Sequence, residues 1–133
     1  MDHGGGGQGA HAVGIPSIDA LHAELEERLA DLAAGADDPR PALAALMDHL
    51  QRHFAHEEAL MQSADFPMAS CHAREHASVI EVVAEVQRRF AAGDAEPLAR
   101  LAPAMLDWFA VHASGMDAAL AAHLKRSAAP DLA

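Results

Sequence analysis

From Ser17 to about Ala34, apolar residues recur at three- and four-residue steps: Ile18, Leu21, Leu25, Leu29 and Leu32. That spacing stacks them on one face of an α-helix. Gly35-Ala36-Asp37-Asp38-Pro39 interrupts the pattern, with Asp38 placed to cap a second helix and Pro39 to open it. The second helix runs to about Gln62 on Leu43, Leu46, Met47, Leu50, Phe54 and Met61. Ser63-Ala64-Asp65-Phe66-Pro67 is the next break. A third helix is predicted over Ala69 to Ala92, with Val79, Val82, Val83, Val86 and Phe90 inward. After a turn at Gly93-Asp94, a fourth extends to about Arg126; Pro97 suits its first turn, while Pro103 predicts a kink or a later start. No stretch alternates as a strand would. Helices of similar length joined by short loops predict an all-α fold, an up-down-up-down antiparallel four-helix bundle. Residues 1–12, rich in glycine, are read as a flexible tail, 13–127 as the bundle and 128–133 as a frayed C-terminus.

Composition agrees with helices. Of 133 residues, 51% are apolar, enough for one core, and Ala, Leu and Met, which enter helices at little cost, are abundant. The formal net charge of −11 argues against nucleic acid, which needs Lys and Arg against phosphate, and against anionic membrane. No apolar run is long enough to span a bilayer, and no secretory signal opens the chain. Cys71 is the single cysteine, which rules out an intrachain disulfide and disfavours a thiolate metal site. These features predict a cytoplasmic monomer.

Ten histidines in so short a chain change the picture. Side chains four residues apart share a helix face. His53 and Glu57 stand at that spacing on the second helix, His72 and His76 on the third. His22 falls on the stripe of Ile18, Leu25 and Leu29, and the fourth helix carries His112 and Asp117. The five-residue step from His112 to Asp117 turns about 140° on a regular helix, so both face inward only if the helix loosens, as at a π-bulge, for which Ser114-Gly115 is permissive. Five imidazoles and two carboxylates exceed what one metal can use, and suit two metals if each carboxylate bridges. The donor set suits iron, with manganese or zinc as alternatives.

Ile18-Asp19-Ala20-Leu21-His22, His53-Phe54-Ala55-His56-Glu57-Glu58, His72-Ala73-Arg74-Glu75-His76, and Trp108-Phe109-Ala110-Val111-His112 with Asp117 together resemble the pattern of the hemerythrin family. Phe66-Pro67 and Val13-Gly14-Ile15 resemble its bacterial members, and the likeness runs from about Val13 to Leu124. The resemblance implies a non-haem diiron site in the bundle core, with two iron ions bridged by Glu57, Asp117 and an oxo or hydroxo group. His72, His76 and His112 would hold one iron. His22 and His53 would hold the other, which keeps a position open for dioxygen. Trp108 and Leu25 are candidate walls of the oxygen pocket. The sequence departs from the family at Leu21, where Gln is frequent, at Ala77 to Ile80, where many members carry Phe, and at Ala113, where a larger apolar residue often stands. Smaller walls predict a wider entry path, and with it faster autoxidation or access for ligands larger than dioxygen.

Taken singly, each motif has a plainer reading. His22 would be a hydrogen-bonded core histidine, His53 with Glu57 a solvated pair, and His72 with His76 a surface feature. Taken together these readings fail, because burying five imidazoles and two carboxylates with no metal is costly. His3 and His11 are assigned to the tail, and His56 and His123 to solvent; His49, four residues before His53, could lie near the site but is assigned to the bundle end. Glu58 reads as surface or as support behind a ligand, Cys71 as a free thiol, and Glu24, Glu26 and Glu27 as a wet face. The function this predicts is reversible dioxygen binding for carriage, storage or sensing, without catalysis and with an oxygen-using or signalling partner left open. The alternative is a diiron enzyme acting on peroxide or nitric oxide.

Overall fold

The apolar stripes expected from the sequence are the faces that meet. The computed structural model describes residues 11–127; residues 1–10 of the tail assigned to 1–12, and the frayed end assigned to 128–133, lie outside the described residues. The helices are α1 (Pro16–Ala33), α2 (Arg40–Ser63), α3 (Ala69–Ala91) and α4 (Glu96–His112). Behind α4 comes a π-helical turn (Ala113–Asp117) and then α5 (Ala118–Ser127), which continues the same rod. The helices pack in a cycle, α1 on α2, α2 on α3, α3 on α4 and α4 back on α1. Among the described residues there is no strand, and no helix is long and apolar enough to cross a membrane.

Two apolar clusters fill the interior. The larger includes Leu25, Leu29, Leu46, Leu50, Phe54, Val83, Met105 and Phe109, and the smaller Ile15, Ile18, Met61, Phe66, Leu120 and Leu124. On α1 the chain passes from the small cluster through His22 to the large one. On α2 it passes from the large cluster through His53 and Glu57 to the small one. The order reverses again on α3 and on the α4–α5 rod, so the alternating direction of the helices follows from the placement of apolar residues. A polar layer crosses the bundle between the clusters, on all four helical rods.

Several local expectations shift. Val82 is 53% exposed, so the inward stripe of α3 is Val79, Val83 and Val86. The spacing of four and then three keeps these on one face, and Val82 falls beside it. Helix α4 starts at Glu96 rather than after Pro103, which is accommodated inside the helix on its exposed side. Pro39 precedes α2 instead of opening it, and Asp38 accepts the backbone N–H of Arg40 at 3.1 Å.

The segment before α1 is tied down. Asp19, buried in the first turn, accepts the backbone N–H groups of Val13 (2.6 Å) and Gly14 (3.0 Å). Lys125 of α5 donates to the Val13 carbonyl at 2.8 Å. Gly14 takes φ +85°, a conformation that suits glycine because no Cβ opposes it. His11, assigned to the tail by its glycine-rich neighbours, packs its ring edge-on to Phe109 with centroids 4.6 Å apart.

Candidate metal centre

The polar layer brings all seven expected side chains together. Ligand atoms of Glu57, His72, His76, His112 and Asp117 form one group, and those of His22, His53 and Glu57 another, each within 4.8 Å. All seven residues are buried, with Glu57 and Asp117 at 0% exposure, so no solvent satisfies the carboxylates. The four-residue spacing on α2 and α3 aligns His53 with Glu57 and His72 with His76, as expected. The π turn places Asp117 on the same face as His112, with Nε2 and Oδ1 3.2 Å apart.

Each carboxylate divides its two oxygens between the groups. Glu57 Oε2 lies 2.8 Å from His53 Nε2 and 3.7 Å from His22 Nε2. Its Oε1 lies 3.2 Å from His76 Nε2 and 3.4 Å from His72 Nε2. Asp117 Oδ2 is 2.8 Å from His22 Nε2, while Oδ1 is 3.1 Å from His72 Nε2. A carboxylate so placed can bridge two cations, one on each side.

The layer is poorly satisfied by hydrogen bonds alone. Glu57 Oε1, His72 Nε2 and Asp117 Oδ1 are buried without a hydrogen-bond partner, although such groups normally find one. His76 Nε2 and His112 Nε2 stand 3.3 Å apart, two imidazole nitrogens facing each other. Lone pairs converging in this way are what a cation collects, and imidazole with carboxylate suits iron. The residues therefore fit a metal centre.

The electrostatics of the side chains point the same way. Burial alone would depress His22 and His72, but hydrogen bonds to Asp117 and Glu57 override it, raising His22 to about 10 and His72 to about 9. Burial pushes Glu57 and Asp117 up, and the surrounding imidazoles outweigh it, so both carboxyls are held below their ordinary range. In protein without metal, protons take the place of cations between these groups.

Behind the inward Nε2 atoms, the Nδ1 atoms of four of the five imidazoles meet an outer partner, while His72 Nδ1 is buried without one. His76 Nδ1 donates to Glu58 at 2.9 Å and His112 Nδ1 to Glu75 at 2.6 Å. His22 Nδ1 donates to the His11 carbonyl at 2.8 Å, and His53 Nδ1 lies 3.0 Å from His49 Nε2. Outer partners of this kind fix the tautomer and orientation of a ligating imidazole. Sequence reasoning found Glu58 in this role as one of two readings and missed Glu75, His11 and His49.

Other placements correct the sequence reading. His49 is fully buried in the layer, not at the bundle end, because Leu46, Leu50 and His53 carry it inward on α2. Burial, with the nearby His53, lowers its pKa to about 4. His56 is half-buried against Ser17, and His123 donates to the Ala64 carbonyl at 2.7 Å, so neither simply faces solvent. Glu24 is half-buried between Arg52 (2.8 Å) and His49 (3.1 Å) and is not merely part of a wet face. The ring edge-on to His22 is Phe109, at 4.9 Å. Trp108 stacks instead on His112 at 4.5 Å, and Phe54 on His76 at 3.8 Å. Leu25 is fully buried in the large apolar cluster, and Cys71 is a half-buried free thiol.

Residues 13–124 match the family model described as the hemerythrin HHE cation binding domain. The chain is 40% identical over 106 residues to a bacteriohemerythrin of Ralstonia nicotianae, covering 79% of this chain and 77% of that one. It is 32% identical over 118 residues to a bacteriohemerythrin of Stenotrophomonas maltophilia, covering 85% and 76%. No solved structure matches the chain significantly. The match spans all four helices and the whole polar layer, and the chain belongs to the hemerythrin family of non-haem iron proteins.

Proposed function

We propose that this protein binds dioxygen reversibly at a pair of iron ions, as a carrier, store or sensor, and is not an enzyme. The observation that supports this most is the split of each carboxylate between the two ligand groups. On this reading His72, His76 and His112 hold one iron and His22 and His53 the other, with Glu57 and Asp117 bridging. The five-residue group is the more complete, so an ion on the His22–His53 side would have fewer protein donors and would be the one to take dioxygen. Two irons there supply the electrons that dioxygen takes up on binding and returns on release.

The chain's own residues do the rest. Phe109, edge-on to His22, supplies apolar surface on that side, and Leu25, three residues on from His22 along α1 in the apolar cluster, would add to it and help keep water and anions out. Trp108 and Phe54 cover the His112 and His76 side by stacking on the rings. The sequence contains no Tyr, and the mostly imidazole donor set lacks the carboxylate-rich pattern of oxygen-activating bundles. Bound oxygen is therefore retained intact. The working unit is a cytoplasmic monomer formed by the bundle of residues 13–127, with His11 against it. Oxygen uptake by the anaerobically reduced protein, measured against iron content, tests the proposal: one dioxygen per two irons, recovered under vacuum, is expected.

A further inference from the structure

The two ligand groups differ in what stands behind them. In the five-residue group, His76 and His112 are backed by carboxylates, those of Glu58 and Glu75. In the other group both imidazoles are backed by uncharged groups, the His11 carbonyl for His22 and the His49 ring for His53. His49, His53 and Glu57 form a column of four-residue steps on α2, and the first two rings meet edge-to-face with centroids 5.0 Å apart. His53 Nε2 faces Glu57 at 2.8 Å, so with a metal ion held at that nitrogen the hydrogen of His53 would lie on Nδ1, toward His49 Nε2. With 0% exposure at His49 no water replaces the acceptor there. On the far side, His49 Nδ1 is in ion-pair range of Glu24 at 3.1 Å, and Glu24 is gripped by Arg52 at 2.8 Å.

We propose that His49 is a positioning residue for the second metal subsite: its Nε2 accepts the Nδ1–H of His53 and thereby fixes His53 as an Nε2 donor. Glu24, anchored by Arg52, stands 3.1 Å from His49 Nδ1 without a formed hydrogen bond, and its charge there favours the complementary tautomer of His49, with the proton on Nδ1. The subsite of His22, His53 and Glu57 then depends on a column running to the surface between α1 and α2, while the five-residue subsite does not. An imidazole is a weaker acceptor than a carboxylate, so His53 is a less basic donor than His76 or His112. The second subsite is accordingly the more weakly filled of the two and the one that a change at position 49 reaches. This inference rests on the two-metal reading.

Zinc alone is the probe, because it is diamagnetic and accepts the same donors. In the zinc-loaded full chain, the histidine side-chain nitrogen NMR spectrum should show His49 with its hydrogen on Nδ1 and an accepting Nε2 paired to the Nδ1–H of His53. A hydrogen on Nε2 of His49 would overturn the assignment. In competition titrations, His49→Phe should weaken the second zinc step by about 10- to 100-fold, the usual effect of losing an outer partner, and leave the first unchanged. His49→Gln, which keeps an acceptor oxygen, should restore most of that loss. Equal affinities in wild type and His49→Phe, or equal weakening of both steps, would overturn the proposal. Should His49→Phe not fold, His49→Gln and the spectrum of the wild type decide it. A wild-type chain that takes up a single zinc contradicts the two-metal reading instead, and the nitrogen spectrum still tests His49.

Discussion

His112 and Asp117, five residues apart on one helical rod, meet with Nε2 3.2 Å from Oδ1 because the intervening turn is π-helical. A regular helix would set them about 140° apart, on different faces. The extra residue in the turn brings both to the bundle axis, with Ser114 and Gly115 exposed on the outer side. Local loosening of this kind is common where a helix serves a site.

Insertion of one alanine after Ser114 should carry Asp117 about 100° further around the rod, away from His112. We expect the far-UV circular dichroism to stay helical and the iron content to fall to one per chain or less. Full iron loading of the insertion variant would show that the placement of Asp117 beside His112 is dispensable.

Glu57 faces His22, His53, His72 and His76 at once, so Glu57→Gln removes the charge that four imidazoles share. Breaking a buried pair by removing one partner costs about 3–5 kcal/mol. Chemical denaturation of the metal-free variant should show a loss of that order, and metal analysis should show that the second equivalent no longer binds.

Stability of the metal-free protein should fall as the solution becomes alkaline. His22 and His72 have folded-state pKa values of about 10 and about 9, above their ordinary value. The native state thus holds more protons than the unfolded chain between about 6.5 and 10, and stability drops with rising pH across that window. Glu57 and Asp117, depressed in the fold, act in the opposite sense, and their contribution is lost only in acid. Melting temperatures of metal-free protein from pH 7 to 10 should decrease steadily, and metal-loaded protein should not show that decrease. A flat profile in metal-free protein would contradict the charge pairing.

The walls of the pocket should set the autoxidation rate. Leu25→Ala should cost about 2–5 kcal/mol, the range for emptying a core leucine site, and speed autoxidation. Ala113, 1% exposed beside His112, is where a larger side chain would narrow the entry. Ala113→Ile should cost about 1–3 kcal/mol from overpacking and slow autoxidation. An unchanged rate in Ala113→Ile would remove the wide-entry explanation.

Much of this architecture was legible in the sequence because it depends on single helices. The stripes of Leu25 and Leu29, or of Val79 and Val83, declare a face through spacing alone. The pairs His53–Glu57 and His72–His76 declare their alignment in the same way, and the five-step interval from His112 to Asp117 pointed to the π turn. The rest depends on how helices meet. Glu75 reaches His112 from a neighbouring helix, and Glu58 reaches His76, through contacts that no local spacing encodes. The four-residue step from His49 to His53 put His49 within reach of the site, but spacing on one helix does not say how far along the bundle the polar layer extends, and the end of the bundle was preferred. The glycine-rich start hid the role of His11, whose carbonyl is held against His22 by tertiary packing.

The most direct test of the account is the visible spectrum of the iron-loaded protein, reduced without air, then exposed to dioxygen and then evacuated. The account predicts a band on oxygen admission that neither the reduced nor the air-oxidised protein has, and that disappears as oxygen is removed and returns when it is readmitted. Direct conversion to a stable ferric spectrum that evacuation does not reverse would contradict reversible binding and favour an enzyme acting on peroxide or nitric oxide.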